Sequence, residues 1–203
     1  MSTWTRILFA GVGGQGVLSA GRWVGDAAHA CDLPVVVGQI HGLSQRGGSV
    51  HASVAIGGAR DPEIPDGRAD VLVALEPMEG ARALSKVSKR TVALVNTRPL
   101  LPASLQSTGR PYPPLSALLD PLGEAAGSLI AVDATTLATA AGSARCLNVA
   151  MLGMLAGAAL LPFPGDRLLD TIEANALPGF AEVNRTAFRL GEKAIKEREV
   201  ETR

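Results

Sequence analysis

The segment that most constrains the fold runs from Arg6 to Cys31 and reads RILFAGVGGQGVLSAGRWVGDAAHAC. Its first seven residues form a β-rich run that enters a cluster of glycines. The residues that follow place apolar side chains three or four positions apart, the repeat of an amphipathic helix: Val17, Ala20, Val24, Ala27 and Cys31. A strand that passes through a glycine turn into a helix is the opening unit of many α/β proteins.

Further strands are predicted at PVVVG, SVHASVAI, DVLVALE, TVALVN and SLIAVD, each an apolar or alternating run. In SVHASVAI, Val50, Ala52, Val54 and Ile56 share one face. About ten residues separate the second strand from the third, fewer than a helical crossover between parallel strands requires. We therefore predict a three-layer α/β/α fold with a mixed, mostly parallel sheet, a Rossmann-like first βα unit and a helical C-terminal part.

The length of 203 residues favours one domain that spans residues 1–203. Five prolines fall between residues 98 and 115, so we predict an irregular excursion there. Asp166 is a candidate N-cap for a helix that ends near Asn175, and another helix is predicted from about Phe180. The last residues, 192–203, read EKAIKEREVETR and predict a solvated or frayed charged tail.

Composition excludes several classes of function. Nineteen basic residues balance nineteen acidic ones, which argues against nucleic acid and anionic membranes as partners. The longest apolar run, Val149 to Leu161, is shorter than the ~20 residues of a bilayer span and predicts a buried helix. Two cysteines, Cys31 and Cys146, provide neither a disulfide framework nor a cluster motif, and they fit a reducing cytoplasm. No signal peptide is evident.

The glycine turn GVGGQG contains Gly11, Gly13 and Gly16 in the G-x-G-x-x-G spacing that binds nucleotide phosphates at a helix N-terminus. Such sites need an acidic residue after the second strand, where this chain has Gly38 and Gln39. A free-standing protein that binds NAD or ATP therefore remains the alternative. Four glycines in six positions exceed what a tight turn requires, which predicts the close approach of a ligand or of another chain.

A second polar cluster, HGLSQRGGS, runs from His41 to Ser49. Its glycines would expose backbone N–H groups beside Arg46, whose guanidinium suits a carboxylate or a phosphate. The segment thus predicts an anion-binding or docking loop, or else a plain surface turn with a solvated arginine. We expect it to lie near the glycine turn, at one end of the sheet.

Five segments in order resemble the gamma domain of 2-oxoacid:ferredoxin oxidoreductases, most closely in the branch that acts on indolepyruvate. They are GVGGQGVLSAGRWVGDAA, GQIHGLSQRGGSVHASVAIG, ADVLVALEPMEGAR, LNVAMLG and AEVNRTAFRLG. The resemblance covers most of the chain from Ile7 to Gly191 and skips the proline-rich excursion.

The resemblance implies a subunit of an enzyme that oxidatively decarboxylates a 2-oxoacid, commonly an arylpyruvate, to acyl-CoA and carbon dioxide while reducing ferredoxin or a similar acceptor. It also implies a larger partner subunit that carries thiamine diphosphate, Mg²⁺ and 4Fe-4S clusters, with coenzyme A as co-substrate. This chain lacks the Gly-Asp-Gly signature that holds the diphosphate metal, and two distant cysteines cannot hold such a cluster. We therefore expect no bound cofactor and no activity in the isolated chain.

No nucleophile with an adjacent base is apparent, so no catalytic residue is assigned, and no metal site is predicted. Glu76 is expected at the carboxyl edge of the sheet, either paired with Arg46 or starting a helix. His51 is interpreted as a satisfied polar residue, Asp133 as an N-cap, and Cys146, Met151 and Met154 as core. The residues expected to dock the partner or bind a cofactor are Gly11, Gly13, Gly14, Gln15, Gly16, His41, Gln45, Arg46, Gly47, Gly48, Ser49 and Glu76. An assembly or regulatory module away from the active site is a further possibility.

Overall fold

The computed structural model describes residues 4–41, 48–58, 61–100 and 111–201. The strands are β1 (Thr5–Val12), β2 (Val35–His41), β3 (Ser49–Ile56), β4 (Val71–Ala74), β5 (Val92–Asn96) and β6 (Ser128–Val132). The helices are α1 (Val17–Ala30), α2 (Pro77–Arg82), α3 (Leu115–Ala125), α4 (Ala134–Ala140), α5 (Leu147–Gly157), α6 (Gly165–Ala174) and α7 (Ala181–Glu201). Short 3-10 turns span Leu84–Lys86 and Ala144–Cys146.

The six strands form one sheet in the order β2-β3-β1-β4-β5-β6. β3 runs antiparallel to both of its neighbours, whereas β1, β4, β5 and β6 are mutually parallel. The predicted mixed, mostly parallel sheet is therefore confirmed, and the short link between β2 and β3 is a hairpin connection, as its length requires.

Successive residues of each central strand bury their side chains on opposite faces of the sheet. Ile7 and Phe9 of β1 pack with α1, α4, α5, α6 and α7 in the larger core, and Leu8 and Ala10 pack on the other side with the region of α2 and α3. Both faces of the sheet are thus covered. This arrangement is the predicted three-layer α/β/α architecture.

α1 leaves β1 toward the larger core, and α2 leaves the adjacent β4 toward the smaller one. The two connections diverge at the carboxyl ends of β1 and β4. In open α/β sheets such a switch point is where ligands bind. The fold therefore directs attention to the carboxyl edge of the sheet, which we define as the ends of β1, β4, β5 and β6 together with the start of β3.

Two details of the predicted helices differ in the structure. Helix α7 continues to Glu201, because Ile195 still packs into the larger core at 1% exposure, so the charged tail is not frayed at residue 192. The side chains of Lys193, Lys196 and Glu197 are exposed, as expected of a solvated segment. Asp166 lies inside the first turn of α6, whose N-cap is Pro164, and it pairs with Arg189 at 2.8 Å. Among the helices of the described residues, none has both the length and the apolar character to span a bilayer.

The excursion predicted between residues 98 and 115 lies partly outside the described residues. The described part has no helix before Leu115, where α3 begins. The buried helix predicted from the apolar run after Asn148 is present as α5, and Met151 and Met154 are fully buried in it.

Candidate functional site at the carboxyl edge of the sheet

The glycine turn links β1 to α1 and is fastened by the side chain of Gln15. The Gln15 Oε1 accepts a hydrogen bond from the backbone N–H of Val12 at 2.8 Å. Its Nε2 donates to the carbonyl oxygen of Leu75 at 3.1 Å, at the end of β4. Asn96 Nδ2 donates to the same carbonyl at 2.9 Å. The amide of Gln15 thus bridges β1 and β4 at the switch point, which the sequence did not reveal.

Two glycines of this turn are required by the packing of the chain itself. A Cβ on Gly11 would lie 2.7 Å from Val17 Cγ2 and 3.1 Å from Leu75 Cβ. Gly16 has a φ of +79°, and its Cβ would lie 2.5 Å from Nδ2 of Asn148. Contacts within the chain therefore account for glycine at positions 11 and 16, and the role of the turn in approaching a ligand or another chain stays a prediction.

Gly14 differs from its neighbours. Its φ is +103°, and a Cβ there would meet nothing within 4 Å. The residue is exposed, and it lines three separate clefts that meet at the turn. Conformation alone accounts for glycine at this position, and the open space beside it leaves room for another molecule.

The second signature segment meets the glycine turn, as predicted. The backbone N–H of Gly13 donates to the carbonyl oxygen of Gly48 at 2.8 Å, and Val12 is aligned with Ser49 in the antiparallel pair of β1 and β3. Ser49 Oγ donates to Oε2 of Glu79 at 2.5 Å. Three of the predicted residues, Gln45, Arg46 and Gly47, lie outside the described residues, as does the side chain of His41.

Glu76 is the N-cap of α2 and is fully buried. Its Oε2 accepts from the backbone N–H of Glu79 at 3.0 Å, and its Oε1 accepts from the hydroxyl of Tyr112 at 2.5 Å. Burial and the bond to the Glu76 carboxylate raise the pKa of Tyr112, so the phenol stays protonated and donates. Of the two predicted roles for Glu76, the structure supports the helix start.

Glu79 is a second fully buried carboxylate, one helical turn after Glu76. Besides Ser49, it contacts Nη1 of Arg82 at 2.5 Å, so its charge is paired. His51 faces the same region, and its Nε2 is buried without a partner among the described residues. Burial lowers the pKa of His51, and the negative charge of Glu79 raises it by a smaller amount. The interpretation of His51 as a satisfied polar residue is therefore wrong for Nε2.

The ends of β5 and β6 complete the carboxyl edge. Asn96 is fully buried and hydrogen bonds to Thr135 through both of its amide atoms, at 3.1 Å to Oγ1 and 3.3 Å to the backbone N–H. Asp133 caps α4, as predicted, because its Oδ1 accepts from the backbone N–H of Thr136 at 2.9 Å. These polar side chains support the edge.

A cleft of about 360 Å³ lies beside the glycine turn, on the side of α1. We call it the Trp23 cleft, and it is bounded by α1, by the start of α5 and by the connection from α6 to α7. It is lined by Gly14, Gly16, Ser19, Arg22, Trp23, Arg145, Cys146, Asn148, Val149, Asn175, Ala176, Leu177, Phe180 and Asn184.

Several polar groups of the Trp23 cleft are tied to one another. Asn148 Nδ2 donates to the carbonyl oxygen of Gly16 at 3.3 Å and so joins the starts of α5 and α1. The Cys146 thiol donates to Oδ1 of Asn184 at 3.2 Å. Burial raises the pKa of this thiol. The indole Nε1 of Trp23 is buried without a partner among the described residues. A buried donor in that state costs roughly 1–3 kcal/mol.

Two further clefts touch the turn. One of about 470 Å³ is lined mainly by apolar residues between the start of α1 and Val50 of β3. The other, of about 280 Å³, lies between Gln15 and the segment from Arg98 to Leu100. Within the described ranges, no group of three or more His, Cys, Asp and Glu side chains is placed to hold a metal ion.

Comparison with known proteins agrees with the resemblance found in the sequence. The profile of the pyruvate ferredoxin/flavodoxin oxidoreductase family matches residues 6–194. An indolepyruvate oxidoreductase subunit IorB from Methanothermobacter thermautotrophicus is 39% identical over 192 residues, which cover 95% of this chain and 98% of that protein.

Two solved structures share the fold. The gamma subunit of a keto/oxoacid ferredoxin oxidoreductase from Geobacter sulfurreducens superposes with a TM-score of 0.68 at 22% identity, covering 95% of this chain and 99% of that chain. A 2-oxoglutarate:ferredoxin oxidoreductase from Magnetococcus marinus, solved with 2-oxoglutarate, coenzyme A and succinyl-CoA, gives 0.69 at 18% identity and covers 96% of this chain but 31% of that longer one. The match to the family profile over nearly the whole sequence establishes that the chain belongs to the pyruvate ferredoxin/flavodoxin oxidoreductase family.

Proposed function

We propose that this chain is the smaller subunit of a 2-oxoacid:ferredoxin oxidoreductase that acts on indolepyruvate or a related arylpyruvate. Membership of the family supports the assignment to a 2-oxoacid:ferredoxin oxidoreductase, and the similarity to an indolepyruvate oxidoreductase subunit supports the choice of substrate. The reaction converts the oxoacid and coenzyme A to acyl-CoA and carbon dioxide, and the two electrons released reduce ferredoxin or a similar acceptor.

The residues of this chain do not fit the cofactors that the reaction requires. Cys31 and Cys146 are both free, and Cys146 is buried in the core, so they do not form a cluster site. The described residues also offer no set of acidic ligands for a divalent metal. We therefore assign thiamine diphosphate, Mg²⁺ and the 4Fe-4S clusters to a larger partner subunit, and we place the complex in the cytoplasm, where thiols stay reduced.

The contribution of this chain is a docking surface at the carboxyl edge, which completes a cavity built mainly by the partner. The proposed site comprises Gly11, Gly13, Gly14, Gln15, Gly16, His41, Gln45, Arg46, Gly47, Gly48, Ser49 and Glu76. Gly11 and Glu76 are buried, so their part in it is to shape the edge behind the surface. Gly14 supports this role because it is exposed where three clefts meet. Gln15 and Glu76 support it indirectly, since both are engaged in holding the shape of the edge.

Coenzyme A is a candidate occupant of this cavity. Its phosphates would find the backbone N–H groups at the start of α1, where Gly16 offers no side-chain cap. Arg98 and Arg145 lie beside the same turn. Coenzyme A is bound in the structure of the Magnetococcus marinus protein, which supports this proposal for the assembled enzyme.

In the alternative, a free-standing nucleotide-binding protein, the same uncapped start of α1 would bind the phosphates of the nucleotide. Two observations weigh against it. The Gln15 amide occupies the switch point between β1 and β4, where a dinucleotide would lie. The end of β2 also carries no carboxylate for a ribose.

The assembled complex tests the docking surface through Arg46→Ala. If Arg46 contacts a carboxylate or a phosphate at the interface, turnover with indolepyruvate should fall about tenfold, since a charged hydrogen bond contributes on the order of 1.5 kcal/mol. The melting temperature of the isolated subunit should not change. Arg167→Ala is the control because Arg167 lies on α6 with an exposed side chain. Equal kinetics of the two variants with every acceptor would remove Arg46 from the site.

A further inference from the structure

The Trp23 cleft is rich in hydrogen-bond donors and has no acidic side chain among its described lining residues. Arg22 and Arg145 provide its two cations. Arg22 is engaged with Asp26 at 3.7 Å and with Oδ1 of Asn175 at 3.2 Å. Arg145 forms no ion pair with a described residue and lies 5.4 Å from the centre of the Phe180 ring. One guanidinium is therefore available to an anion.

Asn184 adds a second donor to the same cleft. The residue is 6% exposed, and its Oδ1 is used by the thiol of Cys146. Its Nδ2 donates to no described residue although it belongs to the lining of the cleft. Buried amide groups in folded proteins nearly always have partners. The buried and unpartnered indole N–H of Trp23 indicates that an acceptor belongs in the cleft, and Asn184 Nδ2, which is not among the buried atoms without a partner, is a second donor that the open space of the cleft reaches.

The walls of the cleft are apolar and in part aromatic. Trp23 lies on α1 and Phe180 in the connection into α7, and Leu177, which also lines the cleft, is 62% exposed. A flat apolar ring would cover these side chains and remove Leu177 from water. The donors and the cation would then receive the charged end of the same molecule.

We propose that the Trp23 cleft binds a small aromatic carboxylate, with its carboxylate at Arg145 and at the N–H groups of Asn184 and Trp23, and with its ring against Phe180 and Leu177. The volume of about 360 Å³ is near the lower end of the ~300–1,000 Å³ typical of ligand pockets, which favours a one- or two-ring acid over a dinucleotide. This site does not depend on the proposed oxidoreductase function, because all of its described groups belong to this chain.

Calorimetric titration of the purified full-length chain with indole-3-acetate and phenylacetate tests the site. We expect both acids to bind, and indole, which has the ring without the carboxylate, to bind at least tenfold more weakly. Arg145→Gln should weaken the acids about tenfold because it removes the exposed cation. Arg167→Gln, an exposed arginine of α6 away from the cleft, should change the affinity less than twofold. Thermal melts of both variants should match that of the original chain.

Trp23→Phe keeps a ring in the wall and removes the buried N–H, so it should weaken the acids and leave the binding of indole nearly unchanged. The proposal is overturned by an absence of acid binding at millimolar concentration, or by equal affinities of Arg145→Gln and Arg167→Gln. Adenosine 3′,5′-bisphosphate serves as the nucleotide probe. Its binding without binding of the acids would also overturn the proposal and would favour a nucleotide site. None of these outcomes bears on whether the chain assembles into an oxidoreductase.

Discussion

Glycines serve opposite purposes in two regions of this protein. In the turn between β1 and α1, Gly14 and Gly16 have φ values of +103° and +79°, conformations that side chains rarely tolerate. Where α5 crosses α7, Gly153 and Gly191 have ordinary helical conformations, but a Cβ on either would lie 2.0 Å from a backbone oxygen of the other helix. The first region needs glycine for the path of its own backbone, and the second needs it for the approach of another helix.

This difference separates the glycines that the fold itself requires from those whose surroundings leave room for a partner protein or a ligand. Gly191 touches Ala150, and Gly153 touches Phe188, so the requirements of these positions are met within the fold. In the turn, only Gly14 combines a strained conformation with empty space. A graded set of glycine-to-alanine substitutions therefore separates packing, backbone strain and function.

Gly191→Ala should have the largest effect on stability. Its new methyl group would overlap the carbonyl oxygen of Ala150, and backbone atoms of two helices cannot move apart without opening the core around Met154. We expect a loss of about 3–4 kcal/mol in the free energy of unfolding, at the upper end for an overpacked site. Denaturant unfolding monitored by circular dichroism measures it.

Gly123→Ala is the matched control, because Gly123 also lies inside a helix, α3. Its Cβ would lie 3.5 Å from Leu129 Cδ2, an ordinary contact. Helix propensity should then stabilise the variant by roughly 0.5–1 kcal/mol. If Gly191→Ala were no less stable than Gly123→Ala, the helix crossing would have room to relax and the predicted overlap would be refuted.

The sequence predicts the elements of this fold better than their contacts. The alternation of SVHASVAI and the short link before it were sufficient to exclude a parallel crossover and to predict the mixed sheet, since both are local properties. The glycine turn was recognised from spacing alone. The proximity of the two signature segments followed because β1 and β3 both meet the carboxyl edge.

Side chains that join distant segments could not be predicted in this way. Gln15 bonds to Leu75 across 60 residues, and Asn148 bonds to Gly16 across 132. Glu79 resembled any helical glutamate, although it is fully buried. The packing that requires glycine at positions 11 and 16 was hidden for a related reason, since Leu75 and Asn148, which would crowd a Cβ there, lie far away in the sequence.

Gly16→Ala should have an intermediate effect. The left-handed conformation costs an alanine about 1–2 kcal/mol, and the crowding by Asn148 adds to it, so we expect a loss of about 2 kcal/mol. A double-mutant cycle with Asn148→Ala separates the two causes. The double variant should be more stable than the sum of the single changes predicts, by about 1 kcal/mol. Strict additivity would assign the whole loss to backbone conformation.

Gly14→Ala should have the smallest effect on stability of the three, about 1 kcal/mol, because strain in φ is its only cost. Its functional effect should be larger, since a methyl group would enter the space where the three clefts meet. Turnover of the assembled complex should fall at least fivefold. Gly67→Ala is the control: Gly67 has a φ of +66° and lies beside Ser88, away from the carboxyl edge. If both variants lose stability equally and neither loses turnover, the open space at Gly14 has no role in docking, and the turn serves only to connect β1 with α1.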